Sequence, residues 1–342
     1  MIFILGAIFI LVSVFFFIKF CNKYNILENY NGEKHQKYTS SKNIPLIGGS
    51  VSLIFIIIFT EFNILVKLFL TSIFVIGTLS DLKILVSPTK RLLVQFIVLI
   101  FFLYTLDIHL VVTRFIFLDL LLNNIAFSFI FTAFCMLVLI NGTNFIDGNN
   151  GNVLIYYLII SVFIFLLNSN DFKSISNENI FFIIELILIL LIFNCLNKLY
   201  LGDGGSFLFG SLFGLILVEL YLNNTKIISS FFVILVLWYP SFENLFSILR
   251  KFYFAKSPVE ADNNHLHQLL YFFLIKKINL NKIFINNSVS FIINFYNFII
   301  ILLGSSKPNH TQFMISLILF NIIFYILVYF ALLKFKKNFL KK

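Results

Sequence analysis

Apolar residues run along this chain in blocks near the roughly 20 that a helix needs to cross a bilayer, with short polar breaks between them. The pattern predicts an all-α, polytopic membrane protein with about eleven spans, centred on residues 2–18, 46–60, 64–79, 92–106, 124–140, 153–167, 180–194, 206–222, 227–248, 288–304 and 312–333. Residues 1–342 read as a single transmembrane domain, with no internal repeat and no linker rich in Ser, Gly or Pro. The first block is apolar from Ile2 and meets its first cation at Lys19, so it lacks the charged leader of a signal peptide and is expected to remain as a span.

Eleven crossings put the two termini on opposite sides, and the cations decide which is which. Of 25 Lys and Arg residues, 20 fall after odd-numbered blocks or in the C-terminal tail; the others are Lys67, Arg114, Lys173, Lys226 and Lys307. The asymmetry predicts an outside N-terminus and a cytoplasmic C-terminus. Active-site loops are then expected on the cytoplasmic side at about residues 19–45, 80–91, 141–152, 195–205 and 249–287.

Composition closes off other classes. Charged residues make up 12% of the chain and hydrophobic ones 60%, with a mean hydropathy of +0.99. That is too little polar material to cover a water-facing surface. The net charge of +10 then describes a basic rim attractive to anionic lipid headgroups and substrates, not a nucleic-acid footprint. The 48 Phe residues, with abundant Ile, Asn and Lys, fit codon bias from an AT-rich genome. Cys21, Cys135 and Cys195 show no metal or redox spacing and read as free thiols.

Four breaks on the basic side carry an acid among small or polar residues. In the first, Gly77 to Lys83, Asp81 stands at a span mouth with Lys83 and Arg91 nearby. The cations suit a lipid phosphate and the carboxylate a proton or a metal; a solvated span end with snorkelling cations is the plain alternative. The second, Asn141 to Gly151, offers amides, Asp147 and close-approach glycines for a base, ribose or sugar, or makes a turn. The third, Tyr200 to Ser206, opens a helix whose N–H groups could receive phosphate oxygens, with Asp203 suited to magnesium or to capping. The fourth, Lys256 to Gln268, holds Asp262, His265 and His267, which could contact a diphosphate, a sugar or zinc, although no third zinc ligand lies nearby. Glu243, three residues after Pro240, is an ionisable group inside a span and is expected to face a partner or the same site.

In order, these segments resemble the polyprenyl-phosphate N-acetylhexosamine-1-phosphate transferases. Pro45 to Gly49 looks like that family's Pro-x-x-Gly-Gly, and Arg91 to Gln95 like its Arg-Leu-x-x-Gln. Asn144 to Gly151 is similar to Asn-x-x-Asp-Gly-x-x-Gly, and Phe193-Asn194 with Gly202 to Ser206 to Phe-Asn followed by Gly-Asp-x-Gly-Ser. Pro240 to Arg250 resembles a Pro-x-x-acid helix with a basic end, and Ser257 to His267 a Ser-Pro, Asp, His-x-His series. The resemblance implies transfer of a sugar 1-phosphate from a UDP-aminosugar to undecaprenyl phosphate at a bacterial cytoplasmic membrane. Magnesium, or manganese in its place, would assist, and a homodimer would be in keeping with similar enzymes.

On that analogy Asp81, Asp147 and Asp203 are catalytic, Asp203 and Asp81 hold the metal, and Lys83, Arg91, Asn144, Asn194, Ser206, Asp262, His265 and His267 bind substrate. Two departures stand out. Ser80 replaces the first acid of an Asp-Asp pair and cannot serve as a general base, so that Asp81 does its work, the lipid phosphate reacts already ionised or the protein is impaired; Gln268 replaces a third histidine, which argues against the peptidoglycan branch. A transporter, or an impaired relative with a partner role, are the competing readings.

Overall fold

The computed structural model describes residues 2–24, 44–168, 175–253 and 264–340. The described chain folds as fourteen helices: α1 (Ile2–Tyr24), α2 (Gly48–Phe59), α3 (Ile64–Asp81), α4 (Pro88–Leu106), α5 (Ile116–Leu122), α6 (Ile125–Ile146), α7 (Asn152–Asn168), α8 (Asn177–Cys195), α9 (Gly202–Asn223), α10 (Ser230–Val236), α11 (Trp238–Tyr253), α12 (Leu266–Lys277), α13 (Lys282–Ser305) and α14 (Thr311–Leu340). A helix satisfies its own backbone, which lipid cannot do, so the apolar blocks have no other way to span. Asn63, Ser87, Asn124 and Ser176 stop them by capping α3, α4, α6 and α8.

All eleven apolar blocks are helical, but among the described residues eight helices are long and apolar enough to cross a membrane, or nine when α10 and α11, bent by 77° at their junction, count as one. α2 and α7 are shorter apolar helices. α2 starts late because the chain before it is held in a parallel bridge between Leu46 and Tyr200, where Gly48 and Gly49 donate their N–H groups to the Tyr200 and Leu201 carbonyls. α5 and α12 lie between the expected blocks.

α9 is the axis of the bundle and is buried almost throughout. Its small residues let backbones approach: a Cβ on Gly205 would lie 3.0 Å from Gly49 of α2, and one on Gly210 2.9 Å from Ile140 of α6. Large exposed side chains such as Ile4, Leu93, Phe117, Phe291 and Leu327 cover the outer surface, as expected of a lipid-facing wall.

The helices end alternately at two rims. At one, Arg114 donates to the carbonyls of Thr225, Ile228 and Asn309, and Tyr221 donates to Val112, gathering the breaks after α4, α9 and α13. At the other, the C-termini of α3, α6 and α8 meet the N-termini of α4, α7 and α9. α1 runs parallel to α8, with Phe3 against Phe181 and Phe15 against Phe193, so its C-terminus also points to this second rim. The three cysteines are free thiols.

Candidate active site

α9 begins at Gly202, whose φ of 73° turns the chain into the helix and where a Cβ would stand 2.7 Å from Asp81 Oδ2. No side chain preceding it caps the first turn. Asp81, the last residue of α3, does so from the neighbouring helix: Oδ1 accepts the Asp203 N–H at 2.9 Å and Oδ2 the Gly204 N–H at 3.1 Å. An anion at a helix start satisfies the open amides and meets the positive end of the dipole.

The Asp203 carboxylate lies within a set of donors. Ser80 donates to Oδ2 at 2.7 Å, Arg91 Nη1 to the same oxygen at 3.1 Å, and Asn144 Nδ2 to Oδ1 at 2.7 Å. Arg91 Nη1 also donates to Ser80 Oγ at 2.6 Å, and its guanidinium lies over the Phe207 ring. Asn144 reaches Ser206 Oγ at 3.0 Å, and the buried Ser206 donates to the Asp203 carbonyl. Residues from α3, α4, α6 and α9 are thus joined in one network.

Asp147, just past the end of α6, differs from the other two acids. It is half-buried, and no described residue donates a hydrogen bond to its carboxylate. Burial, with the fields of Asp203 and then Asp81, pushes its carboxyl well above the usual carboxylate range. Burial and the Asp147 charge push the Tyr200 phenol up to about 12. An ionised carboxylate has about four lone-pair positions, so Asp147 keeps all of them open while Asp81 and Asp203 are partly filled.

Among the described residues no group of three or more His, Cys, Asp or Glu side chains is arranged to hold a metal ion. Magnesium asks for less, one or two carboxylates with waters and substrate phosphates completing its shell. Asp203 and Asp81, the pair expected from the sequence, and the open Asp147 all offer carboxylate oxygens that could enter such a set; Asp81 also holds two backbone amides and Asp203 three side-chain donors.

Beyond Asp147 stand the histidines. His265 is buried 5.2 Å from the Phe145 ring, and His267 stacks on it at 5.8 Å. His267 is enclosed against Gly148, where a Cβ would stand 2.0 Å from its Nε2, and neither ring nitrogen has a partner among the described residues. Burial lowers its proton affinity to a pKa of about 3, so the ring is neutral. Lys251 is buried with its ammonium 6.0 Å from the Phe145 ring.

Lys83 and Asn194 stand apart. Lys83 is exposed, with a left-handed φ of 58° in the turn after α3. Asn194 is buried; its amide accepts the Gly151 N–H and donates to the Leu199 carbonyl at 2.9 Å, which fixes one loop against the other. Asp262 lies outside the described residues. Sequence reasoning missed Asn286 of α13, which accepts from Asn149 at 2.7 Å and from the Asn150 N–H at 3.0 Å. The signal was present: Asn286, Ser290, Asn294 and Asn297 fall on one helical face, and all are buried.

No curated protein matches the chain. Residues 63–221, which supply Ser80, Asp81, Arg91, Asn144, Asp147, Asp203 and Ser206, match the family model described as Glycosyl transferase family 4, a similarity that with the membrane-length helices indicates a membrane-embedded transferase.

Proposed function

We propose that the chain transfers a sugar 1-phosphate from a UDP-aminosugar to undecaprenyl phosphate, giving UMP and a lipid diphosphate-sugar. An oxygen of the lipid phosphate bonds to the β-phosphorus, and the bond from that phosphorus to the bridging oxygen breaks, leaving with UMP. The observation that carries this reading is the junction of Asp203 with Arg91, Ser80 and Asn144, beside the open carboxylate of Asp147, at one rim of an apolar bundle. Two polyanions can meet there only if cations and donors offset their charge.

Each side chain has a part. Arg91, held by Ser80 and Asp203, presents a cation to the lipid phosphate, with Lys83 at the outer edge. Ser80 is no base, so the lipid phosphate reacts already ionised. Asn144 and Ser206 orient the donor, and His265 and His267 line its sugar and diphosphate side. Asp147 and Asp203 would hold magnesium, which neutralises charge on the diphosphate. Positioning then supplies much of the acceleration. The cation bias of the sequence, 20 of 25 after alternate apolar blocks or in the C-terminal tail, favours the cytoplasm for this rim, and the sugar belongs to a surface glycan outside peptidoglycan.

The test is incubation of purified, folded protein with undecaprenyl phosphate, magnesium and a panel of UDP-aminosugars, following UMP. Release that requires the lipid supports the reading. Silence with every donor sinks it and favours the impaired relative.

A further inference from the structure

Glu243 is the most buried acid near the site, 1% exposed on α11, and no step above uses it. Both of its oxygens are engaged. Oε1 receives His265 Nδ1 at 3.0 Å and the Leu266 N–H at 3.4 Å; Oε2 receives the Tyr325 hydroxyl of α14 at 2.6 Å. Tyr325 is itself buried among Trp238, Phe242, Phe246 and Tyr329. The backbone of His265 is held as well, its N–H donating to Gln268 Oε1 at 3.2 Å.

The consequence falls on the imidazole. A carboxylate that accepts from Nδ1 fixes the proton on that nitrogen and fixes the ring plane. Nε2 is then the nitrogen left for a ligand, and no described residue takes it. The ring lies 5.2 Å from that of Phe145, two residues before Asp147, and is stacked with His267, which packs against Gly148, the residue after Asp147.

We propose that Glu243, steadied by Tyr325, is a positioning residue that acts through His265, presenting Nε2 to the phosphates of the nucleotide-sugar. The proposal rests on the transfer reading above. It makes α14, far along the chain from the segment that matches the family model, a working part of the site.

A double-mutant cycle in the full chain tests it, with Glu243→Gln, His265→Ala and the pair together assayed for kcat and both KM values. Glu243→Gln is expected to lower kcat about 10- to 100-fold with KM for the lipid acceptor unchanged, and to cost less than about twofold more once His265 is Ala. Equal losses in both backgrounds would mark a structural role and overturn the proposal. Should Glu243→Gln fail to fold, Tyr325→Phe, which removes a single hydroxyl, takes its place in the cycle. Nitrogen-15 spectra of histidine-labelled protein give a readout apart from turnover: His265 is expected to carry its proton on Nδ1. A proton on Nε2 would overturn the proposal even in active protein. Failure of the wild type to turn over any donor would sink the transfer reading instead, leaving the spectra to judge the Glu243–His265 pair.

Discussion

Three aspartates that look alike in sequence meet different surroundings. Asp81 is tied to two amides, Asp203 to three side-chain donors, and Asp147 to none among the described residues. The last arrangement is costly. Because folding raises the proton affinity of Asp147, stability is lost as pH rises through that elevated pKa. Asp147→Asn cannot ionise, so it is expected to melt higher than wild type at pH 7 to 8 while losing turnover; a lower melting point with activity retained would remove Asp147 from the site. With magnesium bound the cation favours the ionised form, so turnover should fall on acidification as protons compete with the metal for Asp147, and added magnesium should move that limb to lower pH, measured as kcat/KM against pH. Asp81→Asn should behave differently, turning an amide N–H toward the start of α9 and lowering the melting point, by about 1 to 3 kcal/mol of stability. These distinctions could not be read from residue type. The acids themselves were legible, because an acid beside Gly and Asn at the end of an apolar block is rare, but their partners come from helices remote in sequence.

At the scale of elements, the site exists because α2, α3 and α6 can come close to their neighbours. A Cβ on Gly49 would lie 2.4 Å from the Gly205 nitrogen, one on Gly77 2.6 Å from the Asp203 backbone, and one on Gly142 2.1 Å from the Pro240 carbonyl oxygen. Backbone cannot yield as a side-chain tip can. Gly142→Val is therefore expected to part α6 from α11, lowering the melting point by several degrees and cutting turnover, as thermal denaturation in detergent would show. The apolar blocks made the helices legible. Their lengths were less so, since the backbone bridge at Leu46 and Tyr200 shortens α2 and the bend at Leu237 divides one block into α10 and α11. The Asn286 to Asn297 face is harder to read, because its polar residues lie within an apolar helix rather than at a break between blocks.

For the whole molecule, two rims and the cation bias of the sequence make the proposed orientation testable. Lys307 lies between α13 and α14 at the rim away from the site, and Lys198 between α8 and α9 at the rim that carries it; both are exposed. In a background without native cysteines, Lys307→Cys should react with an impermeant thiol reagent added outside intact cells, and Lys198→Cys only after permeabilisation. The reverse pattern would put the site on the wrong side for a cytoplasmic nucleotide. The most direct test of the chemistry follows the phosphorus. With the UDP-sugar labelled in its β-phosphate, transfer of a sugar 1-phosphate carries the label into the lipid fraction and leaves unlabelled UMP. Label that stays in nucleotide as UDP while sugar reaches the lipid, or that never leaves the donor in folded protein, would contradict the account.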